Sequence, residues 1–116
     1  MGVWDYFTPE QQERLSKRIE QVKNELGLEE FKKLRSESNE VVSKLIKGFE
    51  QGVPPENEEI IALAKRLDES QAMFNERDPE MEGTIERFHV ENPDEKDHGM
   101  DLKIYRYIEK AKSYIR

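Results

Sequence analysis

Apolar side chains recur every three or four residues along most of this chain, and no segment alternates strictly between apolar and polar positions. Such spacing places apolar residues on one face of an α-helix, whereas strict alternation would indicate a half-buried strand. Five stripes of this kind predict five helices with short connections. The stripes are Leu15, Ile19, Val22 and Leu26; Phe31, Leu34, Val41, Val42, Leu45, Ile46 and Phe49; Ile60, Ile61, Ala64, Leu67 and Phe74; Met81, Ile85 and Phe88; and Leu102, Tyr105, Ile108 and Ile115.

Start and stop signals bound the predicted helices. Thr8 suits the N-cap of the first helix, with Pro9 at its first position, Gln11 completing a capping box and Gly27 just past its end. The remaining signals predict a second helix from about Glu29 to Gln51, a third from about Asn57 to Phe74, a fourth between the Asp78 cap and Pro93, and a fifth after the Asp101 cap.

The fold class that follows is all-α, as one five-helix domain over residues 1–116. Residues 1–7 have no helical period but hold Trp4, Tyr6 and Phe7 within four positions. We expect them to form an aromatic N-terminal arm that lies across the helices.

Charge and composition exclude several classes of function. Residues 68–101 hold 12 acidic and 3 basic side chains, a net charge of −9, and the whole chain carries −7. Such an acidic surface gives no electrostatic attraction to nucleic acid, so we expect no direct nucleic-acid contact. No apolar run approaches the roughly 18 residues of a membrane span, and the start lacks a signal-peptide pattern, which favours a cytoplasmic protein with no membrane partner. The absence of cysteine excludes disulfides and a thiol nucleophile.

The two histidines are the first candidates for metal or proton chemistry. His89 and His98 lie nine residues apart on either side of Pro93, in a stretch rich in carboxylates. This spacing matches no standard zinc pattern, so we interpret the stretch as a connector between two helices. The serines lack nucleophile-elbow glycines, and no phosphate-binding glycine loop is present. The sequence therefore predicts neither an enzyme nor a cofactor or metal site.

Aromatic and methionine side chains near the ends of the predicted helices are the more informative set. Most of them should belong to the core. A small helical domain can also leave part of its apolar interior open as a cleft, and aromatic rings and methionine then form an adaptable lining.

The order of motifs gives this interpretation a more specific form. The chain reads "YFTPEQQERL", a long helix, "GVPPENEEIIALAKRLDESQAMF", "RDPEM", "ENP" and "HGMDLKIYRYIEKA". This order resembles the TipAS-type antibiotic-recognition domain, the C-terminal effector domain of some MerR-family regulators, from about Tyr6 to Ala111. Two departures stand out. Leu67 occupies a position where many relatives have tryptophan, and this chain lacks the cysteine with which the thiopeptide-binding prototype traps its ligand.

The resemblance implies a globin-like all-α arrangement that binds bulky hydrophobic or peptide antibiotics in a cleft. In a full-length parent protein, a DNA-binding domain would respond to the binding of the ligand. Without cysteine, we expect the recognition of amphipathic drugs to be reversible. From position along the chain, we predict a ligand-binding cleft lined by Trp4, Phe7, Phe49, Phe74, Met81, Phe88 and Tyr105, with His89 or Tyr107 at its rim. The alternative hypothesis is a helical protein-protein interaction module with no small-molecule ligand.

Overall fold

The predicted caps bound the helices as expected. In the computed structural model, which describes residues 2–115, the Thr8 hydroxyl accepts a hydrogen bond from the Gln11 amide at 3.1 Å. The Gln11 side chain accepts one from the Thr8 amide at 3.0 Å, which completes the capping box. Asp78 accepts from the Glu80 amide, and Asp101 caps the last helix by accepting from an amide in its first turn.

Five α-helices follow a short 3-10 turn at Val3–Tyr6. They are α1 (Pro9–Leu26), α2 (Leu28–Glu50), α3 (Glu58–Asn75), α4 (Pro79–Glu91) and α5 (Leu102–Lys112). Between residues 2 and 115 the chain forms no strand, and its only bridge pairs Asp97 with Met100. The predicted all-α class with five helices is confirmed. Across the same residues, none of the helices combines the length and apolarity that a membrane span requires.

The main core forms where α2, α3 and α5 meet. Its buried members are Val41, Leu45, Ile60, Ala64, Leu67, Met100, Ile104, Ile108 and Ala111. Two predicted stripes were wrong in part. Leu26 is 41% exposed at the end of α1. In α5 the buried positions are Ile104, Ile108 and Ala111, and the predicted Leu102 and Tyr105 are only partly buried. The buried face is turned by about one residue from the predicted stripe. Ile115 lies beyond the helix end.

Helix α4 occupies a different position from the other four helices. It packs chiefly on the 3-10 turn and on α5, with at most slight contact to α1, α2 and α3. Its buried side chains Met81 and Phe88 are not part of the main core. The fold is therefore a core of packed helices with α4 and the N-terminal turn attached at one side.

Candidate functional site

The structure distributes the predicted ligand-binding residues over four places. Phe88, His89 and Tyr105 lie together between α4 and α5, and Phe74 and Met81 lie at the corner between α3 and α4. The others lie apart from these two groups. Trp4 pairs with Phe7 in the N-terminal turn, and Phe49 pairs with Tyr107 between α2 and α5.

We use the name aromatic cluster for Tyr6, Phe88, His89 and Tyr105. Tyr6 meets Phe88 edge to face with ring centroids 5.3 Å apart, and Phe88 meets the His89 ring at 5.2 Å. The His89 ring stacks on Tyr105 at 4.6 Å with an interplanar angle of 22°. The cluster thus connects the N-terminal turn, α4 and α5 through contiguous rings. Edge-to-face and offset pairs of this kind stabilise a structure beyond the area they bury.

Polar groups fix one edge of the cluster. The Tyr6 hydroxyl donates to a Glu91 carboxylate oxygen at 2.9 Å and accepts from the Asn92 side-chain amide at 2.9 Å. The same amide donates to the Phe88 carbonyl at the C-terminal end of α4. The Arg87 guanidinium lies over the Tyr6 ring, 5.5 Å from its centroid. The N-terminal turn is therefore held to the last turn of α4.

His89 lies inside this cluster, so its predicted place at the rim was wrong. The residue is 1% exposed, because α4 turns it toward Tyr105 rather than toward solvent. Its Nδ1 atom is buried and has no hydrogen-bond partner. Burial lowers the pKa of His89, and the nearby carboxylates of Asp97 and Asp101 only partly oppose that shift. The ring is accordingly neutral at pH 7.

Tyr105 has a matching environment on the other side of the stack. Burial raises the pKa of its phenol strongly, and Glu109 adds to that effect. Both rings of the stack are thus uncharged at neutral pH. The aromatic cluster offers a neutral apolar surface with one unsatisfied nitrogen inside it.

A cleft opens at the corner between α3 and α4, with a volume of about 480 Å³. We call it the corner cleft. Its apolar lining includes Leu15 of α1, Phe74 of α3 and Met81 of α4, and Arg14 and residues 75–80 complete the lining. Phe74 also meets Phe31 of α2 edge to face. Two of the predicted ligand-binding residues, Phe74 and Met81, therefore line this cleft, on the side where α4 has little contact with the core.

Arginines of α1 hold this corner in place. The Arg14 guanidinium lies 2.6 Å from a carboxylate oxygen of Asp78, the α4 cap. The Arg18 Nε donates to the Met73 carbonyl at 2.8 Å near the end of α3. Glu76 and Arg77 both have positive φ angles, of 53° and 58°. Two consecutive left-handed residues other than glycine persist only where surrounding contacts hold them.

The remaining predicted residues lie elsewhere. Trp4 is 43% exposed and meets the buried Phe7 edge to face at 6.2 Å. The Tyr107 hydroxyl donates to the Val53 carbonyl at 2.7 Å, and its ring packs on Phe49 beside the main core. Tyr105 and Tyr107 are two residues apart on one helix, which turns them about 200° from each other.

The second histidine lies on the surface of the connector. His98 has a positive φ of 54° in the tight turn closed by Asp97 and Met100, and its Nδ1 is 3.1 Å from an Asp97 carboxylate oxygen. That hydrogen bond raises the pKa of His98. In the described part of the chain, no group of three or more acidic or histidine side chains could hold a metal ion.

Three residues at the site were not among those predicted to bind ligand. Tyr6 bridges the N-terminal turn to α4, Leu15 lines the corner cleft, and Asn92 links Tyr6 to the α4 backbone. The aromatic triplet near the N-terminus could have indicated Tyr6, and the apolar stripe of the first helix could have indicated Leu15. Asn92 directly precedes Pro93, which marked only the helix end.

Comparison with known proteins identifies one family. The model of the TipAS antibiotic-recognition domain matches residues 5–114. No curated protein and no solved structure matches the chain. The matched range covers every helix, the aromatic cluster and the corner cleft. The globin-like arrangement expected from the resemblance stays a prediction.

Proposed function

This chain belongs to the family of TipAS antibiotic-recognition domains, and we propose that it binds bulky amphipathic drugs reversibly as the effector domain of a MerR-type regulator. Residues 1–116 contain no cysteine, so capture of the ligand through one of their thiols is excluded and the proposed binding is noncovalent. In a full-length parent, a separate domain would contact DNA.

The observation that carries the proposal is the position of α4. Its inner face holds the buried side chains Met81 and Phe88, yet it lies beside the main core and not within it. One end of that face borders the corner cleft and the other enters the aromatic cluster. As α4 moves outward, a bulky ligand that has entered at the cleft comes into contact with the apolar side chains of this face.

The contacts that hold α4 also explain how binding becomes a signal. The helix is attached by the N-terminal turn, the stack on Tyr105 and the ion pair at Asp78. These contacts can open without disrupting the packing of α2, α3 and α5. A ligand that binds one position of α4 more tightly than the other shifts the population between them. This shift is the change that an attached domain would detect.

Amide NMR shifts test the proposal directly. A ¹⁵N-labelled sample is titrated with a thiopeptide antibiotic and separately with tetraphenylphosphonium, a lipophilic cation. We expect saturable shifts in α4, in Val3–Tyr6 and around Phe74, while amides around Phe49, which lies apart from the aromatic cluster and the corner cleft, act as the internal control. The absence of a saturable shift with either compound would contradict the proposal. Shifts produced only by a protein partner would favour the interaction-module alternative.

A further inference from the structure

Inside the aromatic cluster, the Nδ1 atom of His89 is an unpaired polar group. The residue is 1% exposed, and this nitrogen is buried with no hydrogen-bond partner. Most buried polar atoms in folded proteins are paired, because an unpaired one loses its interaction with water and gains nothing in return. An orphaned atom inside a site calls for an explanation beyond packing.

No group of the protein pairs with this nitrogen. The carboxylates of Asp97 and Asp101 lie near enough to oppose the lowering of the ring pKa by burial, but neither forms a hydrogen bond with Nδ1. Oε2 of Glu95 is likewise buried without a partner.

Phe88 and Tyr105 cover the His89 ring as aromatic surfaces. The hydroxyl of Tyr6 is already engaged with Glu91 and Asn92. A phenylalanine at this position would keep the stacking and remove the unpaired nitrogen. The Nδ1 atom itself therefore adds no hydrogen bond to the stability of the unbound fold.

We propose that the Nδ1 of His89 is the hydrogen-bond acceptor for the drug, and that it selects aromatic ligands carrying an N–H or O–H donor. This inference rests on the proposed function and names the chemical class of ligand for the same site. When α4 moves outward, a flat donor-bearing group takes a place beside Tyr105 and pairs with the nitrogen. The Phe88 ring contributes apolar contact.

The neutral state of the ring is consistent with this role. Burial keeps the pKa of His89 below its ordinary value, so the imidazole has one acceptor nitrogen at pH 7, and in the Nε2–H tautomer that atom is Nδ1. A hydroxyl or amine group of the ligand would donate a hydrogen bond to this nitrogen, which water does not reach in the unbound protein. A site built to pair with a donor discriminates strongly against an analogue that lacks it.

Two probes that differ by one donor test the inference. Indole carries an N–H group, and 1-methylindole has nearly the same shape but lacks it. We expect indole to bind wild-type protein about tenfold more tightly, the effect of one hydrogen bond, and to shift the ¹⁵Nδ1 resonance of His89. Equal affinity for the two probes, or no saturable binding of either, overturns the proposal.

The variant His89→Phe separates a role in recognition from a role in folding. We expect its midpoint of thermal unfolding to rise by roughly 4 °C, because the unpaired nitrogen is removed. Its preference for indole over 1-methylindole should disappear. The matched control is His98→Asn, which changes the exposed histidine to a residue that tolerates its positive φ. That variant should keep the preference.

The remaining outcomes are decisive as well. If His89→Phe lowers the unfolding midpoint, the nitrogen has a structural partner and the inference is wrong. If the variant keeps the preference for indole, the donor is recognised elsewhere and the inference is also wrong. If, in that last case, the thiopeptide or the lipophilic cation still changes the amide NMR shifts of α4, the proposed function stands and only the role of His89 is wrong.

Discussion

The imidazole ring of His89 stacks on the phenol ring of Tyr105, with centroids 4.6 Å apart and planes inclined by 22°. The two residues belong to α4 and α5, so the stack joins the peripheral helix to one that forms the core. The attachment of α4 therefore depends on a buried titratable group whose pKa is lowered by burial.

That stack predicts a loss of stability toward acid. The pKa of His89 is lowered in the folded protein from its ordinary value of 6.5. Since the unfolded chain then binds more protons, the stabilising contribution of the neutral ring is complete above pH 6.5 and is lost as the pH falls below it. Between pH 7.5 and pH 5.5, wild-type protein should lose more unfolding free energy than His89→Phe does, as measured by urea unfolding.

The exposed His98 supplies a control, because its effect on stability has the opposite pH dependence. The hydrogen bond with Asp97 raises the pKa of His98. Its contribution is therefore complete below pH 6.5 and is lost as the pH rises through the folded-state value. His98→Asn should make the loss toward acid slightly larger. The same pH dependence in wild-type protein and His89→Phe would refute the role assigned to the buried ring.

Two helical glycines should respond to alanine in opposite directions. A Cβ atom at Gly48 would lie 2.7 Å from Cδ1 of the buried Ile60, whereas one at Gly83 would meet nothing within 4 Å. We expect Gly83→Ala to stabilise the protein by about 0.5–1 kcal/mol, the gain in helix propensity. Gly48→Ala should destabilise it by about 1 kcal/mol, because overpacking exceeds that gain. Chemical denaturation measures both.

A double mutant tests the reason given for Gly48. Ile60→Val removes the Cδ1 atom that the new methyl group would meet. The combination of Gly48→Ala with Ile60→Val should be more stable than the sum of the single changes predicts. Strict additivity would show that the two positions are not in steric conflict.

Met81 should contribute more to stability than an apolar neighbour on the outer face of α4. Met81 is 2% exposed and Val90 is 48% exposed. Met81→Ala should cost about 2–5 kcal/mol in unfolding free energy, since it leaves a cavity beside the corner cleft. Val90→Ala should stay within about 0.5 kcal/mol of wild type. Similar losses in the two variants would contradict the orientation assigned to α4.

Asp78 combines a helix cap with an ion pair, and two substitutions separate these roles. Asp78→Asn keeps a side-chain acceptor for the Glu80 amide but removes the charge beside Arg14. It should cost less than about 1 kcal/mol, because Arg14 is largely exposed to solvent. Asp78→Ala removes both contacts and should cost about 1–2 kcal/mol more. Equal losses, measured by urea unfolding, would mean that the cap contributes nothing.

Local signals in the sequence predicted the helices well. Thr8, Asp78 and Asp101 each carry the chemistry of a cap in their own side chain, so their roles needed no knowledge of distant residues. The family resemblance extended this information to the whole chain, and it agrees with the family match over residues 5–114.

The arrangement of the site depends on distances that no local pattern contains. Tyr105 and Tyr107 resemble each other in the sequence, yet one stacks on His89 and the other binds the Val53 carbonyl. The rotation of α5 by about one residue decides between these environments, and packing against α2 and α3 sets it. The burial of His89 follows from the placement of α4 against α5, which helix periodicity does not determine.

Amide hydrogen exchange along α4 tests the central claim most directly. In free protein, the amides of Met81–Glu91 should exchange faster than those in the interiors of α3 and α5, and a saturating thiopeptide or tetraphenylphosphonium should slow them. Exchange of α4 at the same rate as those helices, unchanged by either compound, would contradict a helix that opens to admit ligand.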